Sequence, residues 1–399
     1  MDRSAPYTPD EGHRLGFVTI GDPSSMRSWS GTPFFMARAL ERHFSSLRRI
    51  GPLTTPWLNL FRAYGRTMRM MRGQDYSAIH ARSVSNRLAV QAEREIRAAG
   101  LDAVFAPAGS ALARGIPADM AFIYSSDATA RLLDHYHPNY RQPSEQTRRN
   151  TEELEQLVIA RADLLLYPTE WVARSAIEDF GADPSKVHVV PWGANMESPP
   201  PAPTASARPS DGRCRLLLVG VDWTEKGADI AVETLRCLHG EGLEAELTIC
   251  GCTPPNKIDV PGLKVIPFLD KSDPDQLARL KALYRAADFF LLPTRADCYG
   301  IAFCEASAYG VPSIGTATGG VPGVVTEGEN GHLLPYSARG AEYAALIAAI
   351  HRDRGRHQHL RDASRKAFEE RLNWDTWGAR ASELINDLLA TRQSQEARN

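Results

Sequence analysis

Residues 288–306 read Asp-Phe-Phe-Leu-Leu-Pro-Thr-Arg-Ala-Asp-Cys-Tyr-Gly-Ile-Ala-Phe-Cys-Glu-Ala. An apolar run stops at Pro293, a loop carries the carboxylate of Asp297 and the glycine Gly300, and a helical stretch follows near 304–309. A strand–loop–helix passage of this kind belongs to an open α/β sheet, where ligands bind beyond the carboxyl ends of the strands. Free N–H groups at a helix start favour anions such as phosphate, and Gly300 lets a ligand approach the backbone closely. Asp297 and Glu305 lie eight positions apart across the turn. Each carboxylate can accept two or more hydrogen bonds, which suits sugar hydroxyls. Taken alone, the pair reads as a helix cap and a glutamate at the edge of the core.

The surrounding sequence repeats the pattern. Upstream lie RLLLVGVD (215–222), a helix over 227–240, AELTICG (245–251), LKVIPF (263–268) and a helix over 274–287; downstream lies VPSIGT (311–316). The first half carries its own series: RLGFVTIG (14–21), a helix opened by Pro33, and the runs DAVFAP (102–107), MAFIYSS (120–126), ADLLLYPT (162–169) and KVHVVPWG (186–193). Strands that are apolar throughout and alternate with helices predict parallel sheets covered on both faces. Between the two series, ESPPPAPTASARPSDGR (197–213) is rich in Pro, Ala and Ser without periodicity and reads as a linker. The expected organisation is an N-terminal Rossmann-like domain over 1–196, a linker over 197–212 and a second Rossmann-like domain over 213–373. A C-terminal helix over 374–399, opening near Asp375, is expected to pack back on the first domain. A cleft between the two domains is expected to hold the ligands.

Composition excludes several classes. At 399 residues and 43.9 kDa, with 43% hydrophobic and 24% charged residues, the chain is neither disordered nor collagen-like. Forty-six basic residues against 48 acidic ones give no global attraction to nucleic acid. Residues 1–100 nonetheless hold 15 Arg against 8 acidic residues, so an anionic partner is expected at the first domain. Six cysteines, at 214, 237, 250, 252, 298 and 304, show no C-x-x-C pairing and read as buried reduced thiols. No apolar leader is visible in MDRSAPYTPDEGHR, and the hydrophobic runs are too short for a bilayer. A cytoplasmic protein is expected.

The passage around 297–305 resembles the E-x7-E motif of retaining glycosyltransferases of family 4, which have the GT-B fold. LYRAADFFLLPT (283–294), EASAYGVPSIGTATGGVPGVV (305–325), EGENGHLLP (327–335), LLLVGVDWTEKG (216–227) and VVPWGAN (189–195) resemble further segments of that family. The resemblance implies two Rossmann-like domains facing across a cleft and transfer of a sugar from a UDP- or GDP-type nucleotide sugar to an acceptor hydroxyl. The acceptor would be a glycan, a lipid-linked molecule or a small molecule. It implies Glu305 on the ribose hydroxyls, Asp297 on the donor sugar and Lys226 on the diphosphate. Gly220, Tyr299, Gly300, Ile301 and Ala302 would border the donor, Phe268 and Leu269 the base, and Gly31 and Thr32 would bind the donor from the first-strand loop, which would face donor and acceptor across the cleft. It further implies a front-face mechanism with no side-chain nucleophile, no metal, and no cofactor beyond the nucleotide sugar.

Departures from the family pattern are specific. Asp297 stands where the first Glu is usual, Val221 where an Arg is usual, Gly323 where a Glu is usual, and Ser126 where a His is usual. Asp127, next to Ser126, is expected at the cleft or, failing that, capping the following helix. The losses at 221 and 126 leave open a second reading, a catalytically weak nucleotide-sugar-binding or scaffolding protein. A Rossmann dehydrogenase is excluded because no G-x-G-x-x-G follows either first strand.

Residues 57–72 place Arg62, Arg66 and Arg69 on one helical face and Trp57, Leu60, Phe61, Tyr64, Met68 and Met71 opposite. Two readings follow: an ordinary packed helix with a solvated Arg face, or a peripheral contact with an anionic membrane. His135 and His137 read as loop residues rather than metal ligands. Trp192, Trp223, Trp374 and Trp377 read as packing residues, with Trp223 close enough to Lys226 in sequence to serve both purposes.

Overall fold

The computed structural model describes residues 12–134, 136–137, 140, 142–201 and 212–398. His135, the chain start expected to lack a leader, and most of the expected linker lie outside the described residues. The described chain divides into two compact units, one of residues 1–191 with 374–399 and one of residues 192–373.

The first unit runs β1 (Arg14–Val18), α1 (Thr32–Leu40), β2 (Ser46–Ile50), α2 (Pro56–Arg72), α3 (Arg82–Ala99), β3 (Ala103–Pro107), β4 (Ala121–Ser125), α4 (Ala130–Leu133), α5 (Glu145–Arg161), β5 (Leu164–Tyr167), α6 (Glu170–Glu178) and β6 (Val187–Val189). All its strands pair in parallel, in the order β2-β1-β3-β4-β5-β6. Residues of β3, β4 and β5 are buried on both faces, which is why these strands read as uninterrupted apolar runs. β2 is a strand that apolar runs do not predict. Its sequence, SLRRI, sits at the sheet edge and is largely exposed. An edge strand needs only one covered face, so Arg48 and Arg49 are tolerated there.

In the second unit, β7 (Cys214–Val219), α7 (Ala228–Gly240), β8 (Ala245–Cys250), β9 (Leu263–Ile266), α8 (Pro274–Ala286), β10 (Phe289–Leu292), α9 (Ile301–Ala308), β11 (Ser313–Thr316), β12 (Gly331–Leu334), α10 (Gly340–Arg352) and α11 (Arg354–Glu370) follow in turn. The parallel order is β12-β11-β10-β7-β8-β9. Strand order reverses between β7 and β10, the kind of switch point at whose carboxyl ends open α/β sheets bind ligands. β10 (FFLL) is wholly buried, with Phe290 edge-on to Phe303 of α9 at 5.5 Å.

The last helix, α12 (Trp374–Glu396), belongs to the first unit. Gly378 lets it lie against α1, since a Cβ there would stand 3.0 Å from the Cβ of Ala39. Trp377 meets Phe105 of β3 edge-on at 5.9 Å, and Arg392 reaches Asp163 at 3.2 Å. Burying one aromatic side chain of this size contributes about 1.5–3 kcal/mol. Among the described residues, no helix is long and apolar enough to cross a membrane.

Candidate donor site in the second unit

The loops after β7 and β10 are stapled to each other before any side-chain charge is considered. The backbone N–H of Arg295 donates to the Glu225 carbonyl at 2.7 Å, and the Thr294 hydroxyl donates to the same carbonyl at 2.9 Å. Asp222 accepts from the Glu225 N–H at 2.7 Å and closes the first loop. The stapled loops bring Lys226 and Asp297 together: Nζ donates to Oδ2 at 2.6 Å, and both side chains are largely buried. Gly220 makes room for this arrangement, because a Cβ at 220 would stand 2.6 Å from Cγ of Lys226.

Gly300 adopts φ +94°, a conformation that side-chain-bearing residues rarely take, and stands at the N-cap of α9. No side chain caps this helix, so its first N–H groups, including those of Ile301 and Ala302, point toward the turn. They add a partial positive charge to the one on Lys226. The helix begins three residues earlier than expected, at Ile301, because the left-handed Gly300 ends the loop.

Glu305 lies one turn into α9 and is 4% exposed. Its Oε1 accepts from Lys271 and its Oε2 accepts from the Tyr284 hydroxyl at 3.1 Å. Burial and the neighbouring carboxylate push the Tyr284 phenol well above its ordinary range, so it stays a proton donor. Sequence reasoning did not single out Lys271 or Tyr284. Lys271 lies 34 positions from Glu305, and nothing in the sequence signals that meeting.

The remaining candidates of this unit are distributed as follows. Phe268 follows β9 and is 63% exposed, with Leu269 half-buried beside it. Val221 is likewise exposed. Tyr299 is buried; its hydroxyl donates to the Trp192 carbonyl at 2.6 Å, and burial raises its pKa far above the usual value. Trp192 packs against it with ring centres 5.4 Å apart. Cys304, also buried, has its thiol pushed up to about 12 by desolvation, which makes it inert as a nucleophile. Trp223 is half-buried.

In the first unit, strand order reverses between β1 and β3. The loop after β1 ends in three successive left-handed residues, Trp29, Ser30 and Gly31, with Gly31 at the N-cap of α1 and Thr32 buried as its first residue. Ala108, after β3, also has positive φ, at +47°. Ser126 is buried and its hydroxyl donates to the Ala128 carbonyl at 2.8 Å; Asp127 is half-buried. The following helix, α4, is capped by Thr129, whose hydroxyl accepts from Leu132 N–H at 3.4 Å. His137 lies beside Tyr140, ring centres 6.2 Å apart. No cluster of three or more His, Cys, Asp or Glu suited to a metal ion occurs among the described residues. α2 is less covered than a packed amphipathic helix: Leu58 is its one buried residue, while Trp57, Leu60, Tyr64, Met70 and Met71 are exposed.

Comparison with known proteins assigns each half of the chain. The family model of glycosyl transferases group 1 matches residues 213–353, and that of the glycosyl transferase 4-like domain matches residues 9–193. The D-inositol 3-phosphate glycosyltransferase of Corynebacterium glutamicum is 27% identical over 287 residues, 67% of each chain. Its counterpart in Acidothermus cellulolyticus is 31% identical over 257 residues, 59% of this chain and 56% of that protein. The chain thus aligns with little more than half to two-thirds of these relatives' length.

Among solved structures, sucrose-phosphate synthase from Thermosynechococcus elongatus superposes with a TM-score of 0.67 at 17% identity, covering 95% of this chain and 100% of that one. A glycosyltransferase from Rickettsia africae gives 0.63 at 12% identity, covering 95% and 99%. At such identities these likenesses establish the fold, GT-B. With one family model on each unit and a GT-B architecture, the chain belongs to the group 1, family 4 glycosyltransferases.

Proposed function

We propose that the second unit binds a nucleoside diphosphate sugar of the UDP or GDP type, and that the protein transfers the sugar with retention to an acceptor hydroxyl without a metal ion. The observation that carries this reading is the Lys226–Asp297 pair held beside the uncapped start of α9, with Glu305 one turn further on. As the glycosidic bond breaks, negative charge grows on the departing diphosphate. Lys226 and the N–H groups of Ile301 and Ala302 are a fixed cation and fixed dipoles for that charge, in place before the reaction starts. Asp297 then faces the donor sugar's hydroxyls, Glu305 the ribose diol, and the exposed Phe268 with Leu269 the base. With no side-chain nucleophile assigned, the acceptor oxygen bonds to the anomeric carbon on the face of the sugar from which the diphosphate departs, and the departing phosphate oxygen takes the acceptor's proton.

The acceptor is assigned to the first unit, at the left-handed turn that ends in Gly31, the adjoining Thr32, and Asp127. The names of the relatives suggest a phosphorylated polyol such as D-inositol 3-phosphate. The seven-charge basic excess of residues 1–100 suits an anionic acceptor of that kind. A glycan or lipid-linked acceptor fits a protein at the cytoplasmic membrane face, where the exposed Trp57, Leu60, Tyr64 and Met71 of α2 would enter the interface. α2 carries four Arg and no acidic residue in 17 positions.

Calorimetric titration with UDP, GDP, ADP and their sugar conjugates tests the donor assignment. One nucleotide binding in the micromolar range, and losing that binding in Glu305→Ala, is the expected result; no binding of any nucleotide overturns it. Anomeric analysis of the product by NMR tests retention, and activity in the presence of excess EDTA tests metal independence. A second reading, a donor-binding protein with weak turnover, draws on Val221 and Ser126 in place of the usual Arg and His. It predicts tight donor binding with no product from any acceptor in the panel.

A further inference from the structure

Glu305 is a carboxylate buried inside the unit, and a buried charge persists only where it is paired and hydrogen-bonded. Its two partners are supplied by opposite ends of one element. Lys271 precedes α8, and Tyr284 stands in the last turn of the same helix. The segment carrying Lys271 is tightly folded. Asp270 accepts from the Ser272 N–H at 2.9 Å and from its hydroxyl at 2.6 Å, and its own N–H donates to Gln276 at 2.9 Å. Asp273 caps α8 through the N–H groups of Asp275 and Gln276 at 2.9 and 3.1 Å. Tyr284 is fixed as well, stacked on Tyr309 with ring centres 5.2 Å apart and planes 8° from parallel. Both donors therefore approach Glu305 from anchored positions.

An ionised carboxylate offers about four lone-pair sites, two on each oxygen. Lys271 takes one on Oε1 and Tyr284 one on Oε2, which sets the rotation of the group and leaves one acceptor direction on each oxygen. That is the arrangement a vicinal diol requires. We propose that Lys271 is a positioning residue for donor recognition. It holds Glu305 oriented so that the two remaining acceptor directions meet the 2′- and 3′-hydroxyls of the nucleotide's ribose. This inference rests on the assignment of Glu305 to the ribose.

The test compares, for each protein, the affinity of a nucleoside diphosphate with that of its 2′-deoxy counterpart by calorimetry. The probe is whichever of UDP, GDP and ADP binds the unmodified protein most tightly. A ratio within one protein is insensitive to the fraction of folded material. Loss of one hydrogen bond to a charged acceptor is expected to weaken the deoxynucleotide by roughly tenfold or more in the unmodified protein. In Lys271→Met the ratio is expected to fall to within about threefold of unity, while Lys271→Arg, which keeps the charge, retains most of it. A full ratio in Lys271→Met alongside a collapsed one in Glu305→Gln overturns the role of Lys271 and leaves the ribose assignment standing. A full ratio in Glu305→Gln overturns the assignment itself, and with it this inference.

Discussion

Glu155 of α5 gives a sharp test of the electrostatics inside the first unit. Its side chain is 4% exposed, and among the described residues its hydrogen-bond partner is the Tyr124 hydroxyl, 3.2 and 3.4 Å from the two oxygens. The other titratable groups that face it, Tyr167 and Tyr140, are phenols whose own pKa values are raised by burial. With no cation bonded to it among the described residues, desolvation pushes its pKa from 4.5 up to about 8. The folded state therefore holds a proton that the unfolded chain has already released. Between about pH 4.5 and about pH 8 the native state binds more protons than the unfolded state, so stability falls as pH rises, by ~1.4 kcal/mol per pH unit. Across the window this totals roughly 5 kcal/mol.

Glu155→Gln keeps the shape and cannot ionise. It is expected to match the wild type near pH 5 and to exceed it by ~4 kcal/mol at pH 8.5, a rise of roughly ten degrees in Tm for a unit of this size. Differential scanning calorimetry of both proteins from pH 5 to pH 9 measures this. Taking the difference between the two proteins cancels every other titrating group. A gap that is constant with pH would refute the reasoning, since it would mean that Glu155 titrates alike in both states.

Other expectations follow from the same structure. His80 is buried, lies 2.7 Å from Ser77 and 3.3 Å from Ser110, and has its pKa lowered to about 4 by desolvation. Its contribution is present above pH 6.5 and is lost as pH falls toward 4, so His80→Gln is expected to show a shallower acid limb in urea unfolding followed by circular dichroism. Lys226→Ala and Glu305→Ala are each expected to lower sugar transfer at least tenfold, measured as product formed per enzyme, the order expected for losing a charged contact made to the donor or the transition state. Near-native turnover in both would remove the site assignment. Gly220→Ala pushes on the stem of Lys226 and is expected to raise the donor KM, with normal far-UV circular dichroism as the control. Replacing Leu60, Tyr64 and Met71 together by Ser is expected to abolish flotation with vesicles containing anionic lipid while leaving nucleotide affinity unchanged. Undiminished flotation would clear α2 of a role at the bilayer.

The parallel strands were legible because strands buried on both faces must be apolar at every position, as FFLL in β10 and AFIYS in β4 are. The same logic hides β2, whose Arg48 and Arg49 are acceptable only at an edge. Lys226, Asp297 and Glu305 stood out through the resemblance of their segments to the family's motifs, since Asp297 and Glu305 taken alone read as a helix cap and a glutamate at the edge of the core. Of the two places expected for Asp127, the cleft and the cap of the following helix, the cap is taken by Thr129. Lys271 and Tyr284 were not legible as a pair, since a helix brings them to one carboxylate and no spacing rule describes that. The face of α2 was visible as a pattern, but its lack of cover depends on neighbouring elements that a helical wheel does not contain.

The two halves of the candidate site are secured differently, and this bears on how such a protein diversifies. The separation of Lys226 from Asp297 depends on a peptide N–H of one loop donating to a peptide carbonyl of the other. Any residue except proline at position 295 supplies that donor, so the charge pair keeps its spacing through most substitutions around it. Glu305 is held by two side chains, each removable by one codon change. The orientation of Glu305 can therefore change by single steps in and around α8 while the spacing of the Lys226–Asp297 pair stays fixed, so one half of the site can vary without disturbing the other.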